Sequence, residues 1–277
     1  MHFIKRTHAY MNKIARREKL MTNATYRKKY SPLTTPPPEL IDIEPGQWDF
    51  WELWAGCGRL TSAVSKLGLK CGPPITKECG WDLSLPSHQK VLWALYIKHR
   101  PRVVYGAPVC GPWSQSSTTM QPDIKELLRS EQLECFTFFV KICREQDRTA
   151  RKFLMENPRS SELLNQAICM ILVLELHATD QYCCMCCHGL KDADNHKPCM
   201  KPTTLRGTIE LRRTARWCQC TTPHQILQGC NRSGKLRTAE AQKYTLLFCK
   251  RLAADIFEAL KPSSQKLKAF PASAEGE

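Results

Sequence analysis

Long apolar runs are missing from this sequence of 277 residues. The best candidate, residues 168–174, stops at Glu175 and falls far short of the roughly 20 apolar residues that a membrane-spanning helix needs. The N-terminus also lacks the apolar core of a secretory signal. These absences predict a protein that neither enters a membrane nor is exported, and they favour an intracellular location.

Acidic residues are scarce as well, above all near the N-terminus. The chain holds 41 Lys and Arg against 26 Asp and Glu, a formal net charge of +15. Within residues 1–30 a single acid, Glu18, faces nine basic residues. Such an excess favours a nucleic-acid partner; a solvated basic tail with no specific partner is the alternative. The nucleus is the expected compartment, although mitochondrial and plastid targeting segments share this basic, acid-poor character.

Cysteine, by contrast, is abundant, with 16 residues. Without an export signal these are expected to be thiols or metal ligands rather than disulfides. Half of them fall within residues 183–230, where two pairs, Cys183 with Cys186 and Cys184 with Cys187, have the spacing of zinc ligands. A group of free thiols is the alternative. The predicted zinc set is Cys184, Cys187, Cys218 and Cys220, with His188, Cys199 and His224 as further candidates.

Proline content and composition divide the chain into five segments. Residues 1–40 form a basic tail and a proline-rich linker, and residues 41–182 form an α/β core. Residues 183–235 are a cysteine-rich basic region, residues 236–262 a helix that closes the core, and residues 263–277 a disordered tail.

Strands that alternate with helices predict a mainly parallel sheet with helices on both faces, a Rossmann-like α/β architecture. The predicted strands are 48–55, 102–105 and 153–155, with an edge strand at 69–75 that its two prolines would shorten. Ligands of such sheets bind at the carboxyl ends of the strands. Three motifs follow predicted strands in this way.

The first motif, Glu-Leu-Trp-Ala-Gly-Cys-Gly-Arg-Leu-Thr at residues 52–61, reads as a strand, a glycine turn and the start of a helix. Gly56 and Gly58 would let the backbone approach a nucleotide-like cofactor. An acid about twenty residues later often binds the ribose, and Glu78 and Asp82 lie near that distance. A simple strand-to-helix turn is the alternative.

The second and third motifs carry candidate catalytic groups. Gly-Ala-Pro-Val-Cys-Gly-Pro-Trp-Ser at residues 106–114 presents Cys110 on a loop after a strand, where an exposed thiol of lowered pKa could act as a nucleophile. Met-Glu-Asn-Pro at residues 155–158 ends the next strand with Glu156 and Asn157. A structural thiol and an ordinary Asn-Pro turn are the alternatives.

In this order the three motifs resemble those of cytosine-5 DNA methyltransferases, which typically read D-L-F-A-G-x-G-G, G-x-P-C-x-x-F-S and E-N-V. The resemblance implies a class I methyltransferase sheet and S-adenosylmethionine as cofactor, with Trp54 packing on it, Glu78 on the ribose and Asp82 on the adenine. The implied cofactor-binding residues are Trp54, Ala55, Gly56, Gly58, Glu78, Asp82 and Pro108.

The same resemblance implies that Cys110 attacks C6 of a cytosine, that Glu156 bonds the N3 edge of the base and that Asn157 holds the loops in place. Arg59 and Val109 depart from the pattern of the enzymes, which have glycine and proline there. Pro158 replaces the valine of E-N-V.

Residues 50–260 are also similar to a divergent methyltransferase-like set that occurs near mobile elements of algae, protists and fungi. That set shows G-R-L, W-S, E-N-P, K-P-T and R-T-A-x-A-x-x-Y. This chain has Gly58-Arg59-Leu60, Trp113-Ser114, Glu156-Asn157-Pro158, Lys201-Pro202-Thr203 and Arg237-Thr238-Ala239. Arg59 and Pro158 are therefore ordinary for this set.

Taken together, the sequence predicts an S-adenosylmethionine-dependent methyltransferase that acts on cytosine in nucleic acid, DNA rather than RNA, through a covalent adduct with Cys110. The alternative is a non-catalytic nucleic-acid-binding protein with the same fold, stabilised by zinc. The oligomeric state is left open.

Overall fold

A computed structural model of the protein describes residues 46–114 and 120–262. The predicted basic tail and the predicted C-terminal tail lie outside these residues. The five strands are β1 (Phe50–Leu53), β2 (Val103–Gly106), β3 (Lys152–Pro158), β4 (Thr179–Cys184) and β5 (Pro202–Gly207). The helices are α1 (Arg59–Ser65), α2 (Pro86–His99), α3 (Pro122–Arg148), α4 (Ala167–Leu174), α5 (Arg237–Glu240) and α6 (Leu246–Leu260).

The strands form one sheet in the order β1-β2-β3-β5-β4. The first three run parallel, whereas β5 is antiparallel to both β3 and β4. Leu53 pairs with Gly106, and Gly106 pairs with Met155, so β1 and β2 end side by side. The carboxyl ends of β1 to β4 and the start of β5 therefore share one edge of the sheet, called the motif edge below.

Helices cover both faces of the sheet, which confirms the predicted fold class. Trp51, Leu53 and Phe153 belong to a core cluster with α2, α3 and α4 on one face. Phe50 and Leu154 belong to a second cluster with α1 and α6 on the other. Strands covered on both faces must be apolar on both faces, and full burial of each such large side chain contributes about 1.5–3 kcal/mol.

Two predicted elements differ from the observed ones. The edge strand at 69–75 is reduced to two bridges, Phe50 with Cys71 and Leu53 with Ile75, because the prolines between them have no amide hydrogen to donate. The closing helix at 236–262 is split into α5 and α6, since Thr245 caps α6 by accepting a hydrogen bond from the Phe248 amide.

The cysteine-rich region contains little regular structure. It includes the end of β4, the 3₁₀ turn Met185–His188 and β5, and the described residues 208–236 form no helix or strand. Across residues 46–114 and 120–262, none of the helices combines the length and apolar character needed to cross a bilayer.

Candidate active site

The glycine loop leaves β1 at the motif edge. Trp54 has φ 55°, in the left-handed region that bulky residues rarely adopt, and its ring packs edge-on against Phe139 of α3. The Ala55 amide donates to the Ile75 carbonyl at 2.9 Å. Gly56 and Gly58 have φ 54° and 65°, and a side chain at Gly56 would meet no atom within 4 Å. The loop backbone therefore borders open space where a ligand can approach it.

Glu52 fixes this loop from inside the fold. Its fully buried carboxyl group accepts hydrogen bonds from the Thr61 amide at 2.9 Å and from the Thr61 hydroxyl at 2.5 Å. Burial raises the pKa of Glu52 to about 7, although the bonds from Thr61 oppose that rise. Because Glu52 occupies an amide in the first turn of α1, that amide is not available to a ligand. An acid within an apolar strand was the sequence signal for this role.

The two predicted acids, Glu78 and Asp82, lie just beyond the Ile75 bridge and hence beside the glycine loop. Glu78 is exposed in the turn Lys77–Cys79 and accepts a hydrogen bond from Thr76. Asp82 is buried; burial disfavours its charge, but hydrogen bonds from Ser84 and the nearby Lys77 outweigh it and lower its pKa. Asp82 is thus an anion held in place, whereas Glu78 faces solvent.

Cys110 follows β2 on the neighbouring loop and is half-buried at the start of the 3₁₀ turn Gly111–Trp113. The Asn157 side-chain amide donates to the Pro108 carbonyl at 2.9 Å, so β3 holds the cysteine loop in position. Burial raises the pKa of the Cys110 thiol, Glu156 adds to that rise and Lys201 opposes it. The folded protein therefore favours the neutral thiol of Cys110, and the expectation of an exposed thiol with a lowered pKa was wrong because the loop packs the side chain against its neighbours.

Glu156 lies buried at the same edge. Its Oε2 accepts a hydrogen bond from the Tyr244 hydroxyl at 2.9 Å, and that hydroxyl is 2.7 Å from the Tyr105 hydroxyl. Lys201 Nζ is 4.0 Å from Oε1, yet Oε1 accepts no hydrogen bond from the described residues. A buried carboxylate oxygen without a donor is uncommon, and it leaves one acceptor position for a ligand.

A further contact connects the glycine loop to Glu156. Arg59 donates to the Tyr244 carbonyl at 2.7 Å, so the backbone and the hydroxyl of Tyr244 bridge two motifs that are about a hundred residues apart. This contact gives Arg59 a structural role.

The sequence did not place Tyr244 or Lys201 at Glu156. Both stand inside or next to sequence motifs, since Lys201 begins Lys201-Pro202-Thr203 and Tyr244 lies shortly after Arg237-Thr238-Ala239. Those patterns were the available signal. Both residues reach Glu156 through the tertiary fold, in which β5 pairs with β3 and the start of α6 lies close to Glu156.

The predicted zinc ligands are only partly brought together. Cys218 and Cys220 share a cluster with Cys186 and His224. Cys184 ends β4 with its side chain buried, and Cys187 instead donates to the Trp217 carbonyl at 3.1 Å. The Cys220 amide, which points at the sulfur of Cys218, lowers the pKa of the Cys218 thiol. The quartet in the structure therefore differs from the predicted one in two positions.

A basic and aromatic surface adjoins the cluster. The Arg159 guanidinium lies 4.7 Å from the ring centroid of Tyr182 and 5.1 Å from that of Trp217. Arg159 comes directly after β3, three residues beyond Glu156. A cleft of about 470 Å³ lies nearby, lined in part by Arg216, Trp217 and Arg251. This cleft is beside the cysteine cluster rather than at the glycine loop.

No protein-family model and no curated protein matches the chain. Among solved structures, the chain is similar to the crystal structure of the S. pombe Dnmt2 methyltransferase, with a TM-score of 0.34 and 8% identity. The match covers 58% of this chain and 49% of that one, so it spans about half of that protein.

Proposed function

We propose that this protein is an S-adenosylmethionine-dependent methyltransferase that acts on cytosine in nucleic acid. The observation that carries the proposal is the junction of three motifs at one sheet edge. Asn157 bonds the cysteine loop, and Arg59 reaches Glu156 through Tyr244. Three loops tied to one another in this way form a site in which a cofactor and a base can meet.

The glycine loop and its neighbours would hold the cofactor. The open space at Gly56 fits a ligand laid along the backbone of residues 54–58, and exposed Glu78 suits the ribose hydroxyls. Asp82 would face the adenine and Pro108 would line the methyl end of the site. S-adenosylmethionine, when bound, supplies an electrophilic methyl group.

Cys110 would act on a cytosine that is flipped out of the base stack. Its thiolate adds to C6, and the ring electrons make C5 a nucleophile toward the methyl group. Loss of the C5 proton and cleavage of the C6–S bond then restore the ring and release Cys110. Lys201 favours the thiolate, which compensates in part for burial.

Glu156 would hold the Watson–Crick edge of the base. Its unpartnered Oε1 can accept a hydrogen bond from the exocyclic amine or a protonated N3, while Tyr244 fixes Oε2. DNA is the proposed substrate, in the nucleus. The proposed association of this protein with mobile elements is supported by its sequence motifs alone.

Two observations favour a second function, nucleic-acid binding without turnover. The raised pKa of Cys110 leaves little thiolate in the free protein, while Arg159 and two exposed aromatic rings form a ready stacking surface. Such a protein would keep the fold and bind nucleic acid without transferring a methyl group.

Labelled methyl transfer separates the two functions. Purified protein is incubated with methyl-labelled S-adenosylmethionine and either cytosine-containing DNA or RNA, and 5-methylcytosine is quantified. We expect transfer by the wild type, none by Cys110→Ser, and retained cofactor binding in that variant. Cys230→Ser, a change at an exposed cysteine outside the three motifs, is the matched control. Equal transfer by Cys110→Ser would rule out the covalent route.

A further inference from the structure

Four metal-binding side chains converge near the end of β4. The Sγ atoms of Cys186, Cys218 and Cys220 and a ring nitrogen of His224 all lie within 4.8 Å of one another. Tetrahedral zinc, with bonds of about 2.0–2.3 Å, holds its ligand atoms roughly 3.3–3.8 Å apart. Cys218 Sγ and His224 Nε2 are already 3.3 Å apart, and a contraction of about 1 Å elsewhere completes the tetrahedron.

The segment that carries three of these ligands has little else to fix it. Of residues 217–224, only Cys218 and His224 are half-buried and the others are exposed. Its hydrogen bonds run through sulfur: Cys187 Sγ donates to the Trp217 carbonyl, and the Cys220 amide donates to Cys218 Sγ. An exposed stretch without a core is the kind of segment that a bound metal orders.

The chain on either side of this segment is anchored independently. Asp255 of α6 accepts hydrogen bonds from the Arg213 and Thr214 amides. On the far side, the Gln225 amide donates to the Pro198 carbonyl at 2.9 Å. The two anchors place residues 217–224 beside the turn Met185–His188, which carries Cys186. Contacts that need no metal therefore bring the four ligands near one another.

We propose that Cys186, Cys218, Cys220 and His224 bind one structural zinc ion. Three thiolates and one imidazole are soft and borderline ligands that suit zinc and exclude calcium and magnesium. Four protein ligands leave no open position, so the metal has a structural role and no catalytic one. The site is independent of the methyl transfer proposed above.

The zinc site also has a consequence for the surface beside it. Trp217 precedes the first ligand of the segment and stacks on Arg159, three residues after Glu156. Fixing Cys218 therefore fixes the Trp217 ring, and with it one wall of the basic cleft. Loss of the metal would loosen this surface while leaving the sheet and the glycine loop in place.

Metal analysis of the full-length protein tests the site. Protein purified with reductant in zinc-containing buffer and then dialysed against metal-free buffer is measured by elemental mass spectrometry. We expect about one zinc per chain in the wild type, near zero in Cys186→Ser, and an unchanged content in Cys187→Ser. Cys187 is the matched control because it belongs to the same turn and bonds Trp217 instead.

Cobalt substitution keeps the test decisive if Cys186→Ser does not fold. Thiolate-to-cobalt absorption should rise by about a third in His224→Cys, which adds a fourth sulfur, with the metal still bound. Chelation should speed tryptic cleavage after exposed Arg216 without changing binding of S-adenosylmethionine. Absence of zinc from the wild-type protein would overturn the proposal. Loss of zinc from Cys187→Ser together with retention of zinc in Cys186→Ser would overturn it as well.

Discussion

At the scale of single residues, the least expected feature is an acid buried within β1. Glu52 holds the start of α1 and has a pKa of about 7 in the folded chain, against an ordinary value of 4.5. The folded state therefore keeps its proton at pH values where the unfolded chain has released it. The contribution of Glu52 to the free energy of unfolding is fully present below about pH 4.5. It is lost as the pH rises to about 7, by roughly 3 kcal/mol in total.

Glu52→Gln should remove this pH dependence. Urea unfolding of wild type and variant at pH 5.5 and pH 8 gives the change in unfolding free energy of each. We expect the loss of stability at the higher pH to be smaller in the variant by about 2 kcal/mol, while other groups such as His188, whose pKa burial lowers, contribute equally to both proteins. Glu126→Gln, at an exposed position of α3, is the matched control and should keep the wild-type difference. The same loss of stability with pH in Glu52→Gln and in wild type would contradict the role assigned to Glu52.

Tyr244→Phe tests the bridge between Arg59 and Glu156. The change removes only the hydroxyl, leaving Glu156 Oε2 and the Tyr105 hydroxyl without their partner. We expect a loss of about 1–3 kcal/mol in unfolding free energy, since buried groups lose a hydrogen bond. Methyl transfer should fall as well. Tyr182→Phe, at an exposed ring, should change neither quantity; equal effects of the two variants would show that the bridge is unimportant.

At the scale of elements, β1, β2 and β3 could be predicted because buried parallel strands are recognisable as short apolar runs. The sequence did not predict β4 and β5, which pair antiparallel with each other at the far side of the sheet. The order of motifs after β1, β2 and β3 then placed Gly56, Cys110 and Glu156 at one edge. Helix boundaries were less predictable. Apolar residues follow the helical spacing on both sides of Thr245, so the spacing does not show that a helix starts there. Only the cap at Thr245 shows where α6 begins.

Side chains that arrive from distant elements could not be predicted. Tyr244 and Lys201 meet Glu156 because β5 pairs with β3 and α6 packs on the sheet, and the motifs around these two residues do not show which side chain they contact. The zinc ligands show the same limit. The spacing of Cys184 and Cys187 is right for zinc, yet the direction of each side chain at the end of β4 selects Cys186.

Asn157 connects two elements, and its removal should release the cysteine loop. Asn157→Ala breaks the bond to the Pro108 carbonyl, so Cys110 should become more accessible and its thiol more acidic. We expect alkylation of Cys110 by iodoacetamide to speed up about fivefold, the equivalent of one hydrogen bond of ~1 kcal/mol. Mass spectrometry measures the rate. Asn165→Ala, at an exposed position, should react like wild type; an unchanged rate in Asn157→Ala would show that this bond does not hold the loop.

At the scale of the whole molecule, the net positive charge and the Arg159 surface both support the proposed nucleic-acid partner. The chain has a net charge of +15, and the Arg159 stack adjoins the edge that holds Cys110 and Glu156. Arg159→Gln should weaken nucleic-acid binding at all sequences and make it less sensitive to salt. Fluorescence anisotropy at several salt concentrations measures this. Arg148→Gln, at an exposed site paired with Glu145, is the control and should bind like wild type; identical behaviour of the two variants would place the binding surface elsewhere.

The proposed mechanism requires a covalent bond between Cys110 and C6 of a cytosine, and this adduct can be trapped. A DNA duplex with 5-fluorocytosine is mixed with the protein and S-adenosylmethionine, because the fluorine at C5 cannot leave as a proton does and the C6–S bond persists. We expect a complex that survives denaturation, with the modified peptide carrying Cys110, and no such complex in Cys110→Ser. Well-folded protein that binds S-adenosylmethionine and DNA yet forms no adduct, or an adduct at another cysteine, would contradict this mechanism.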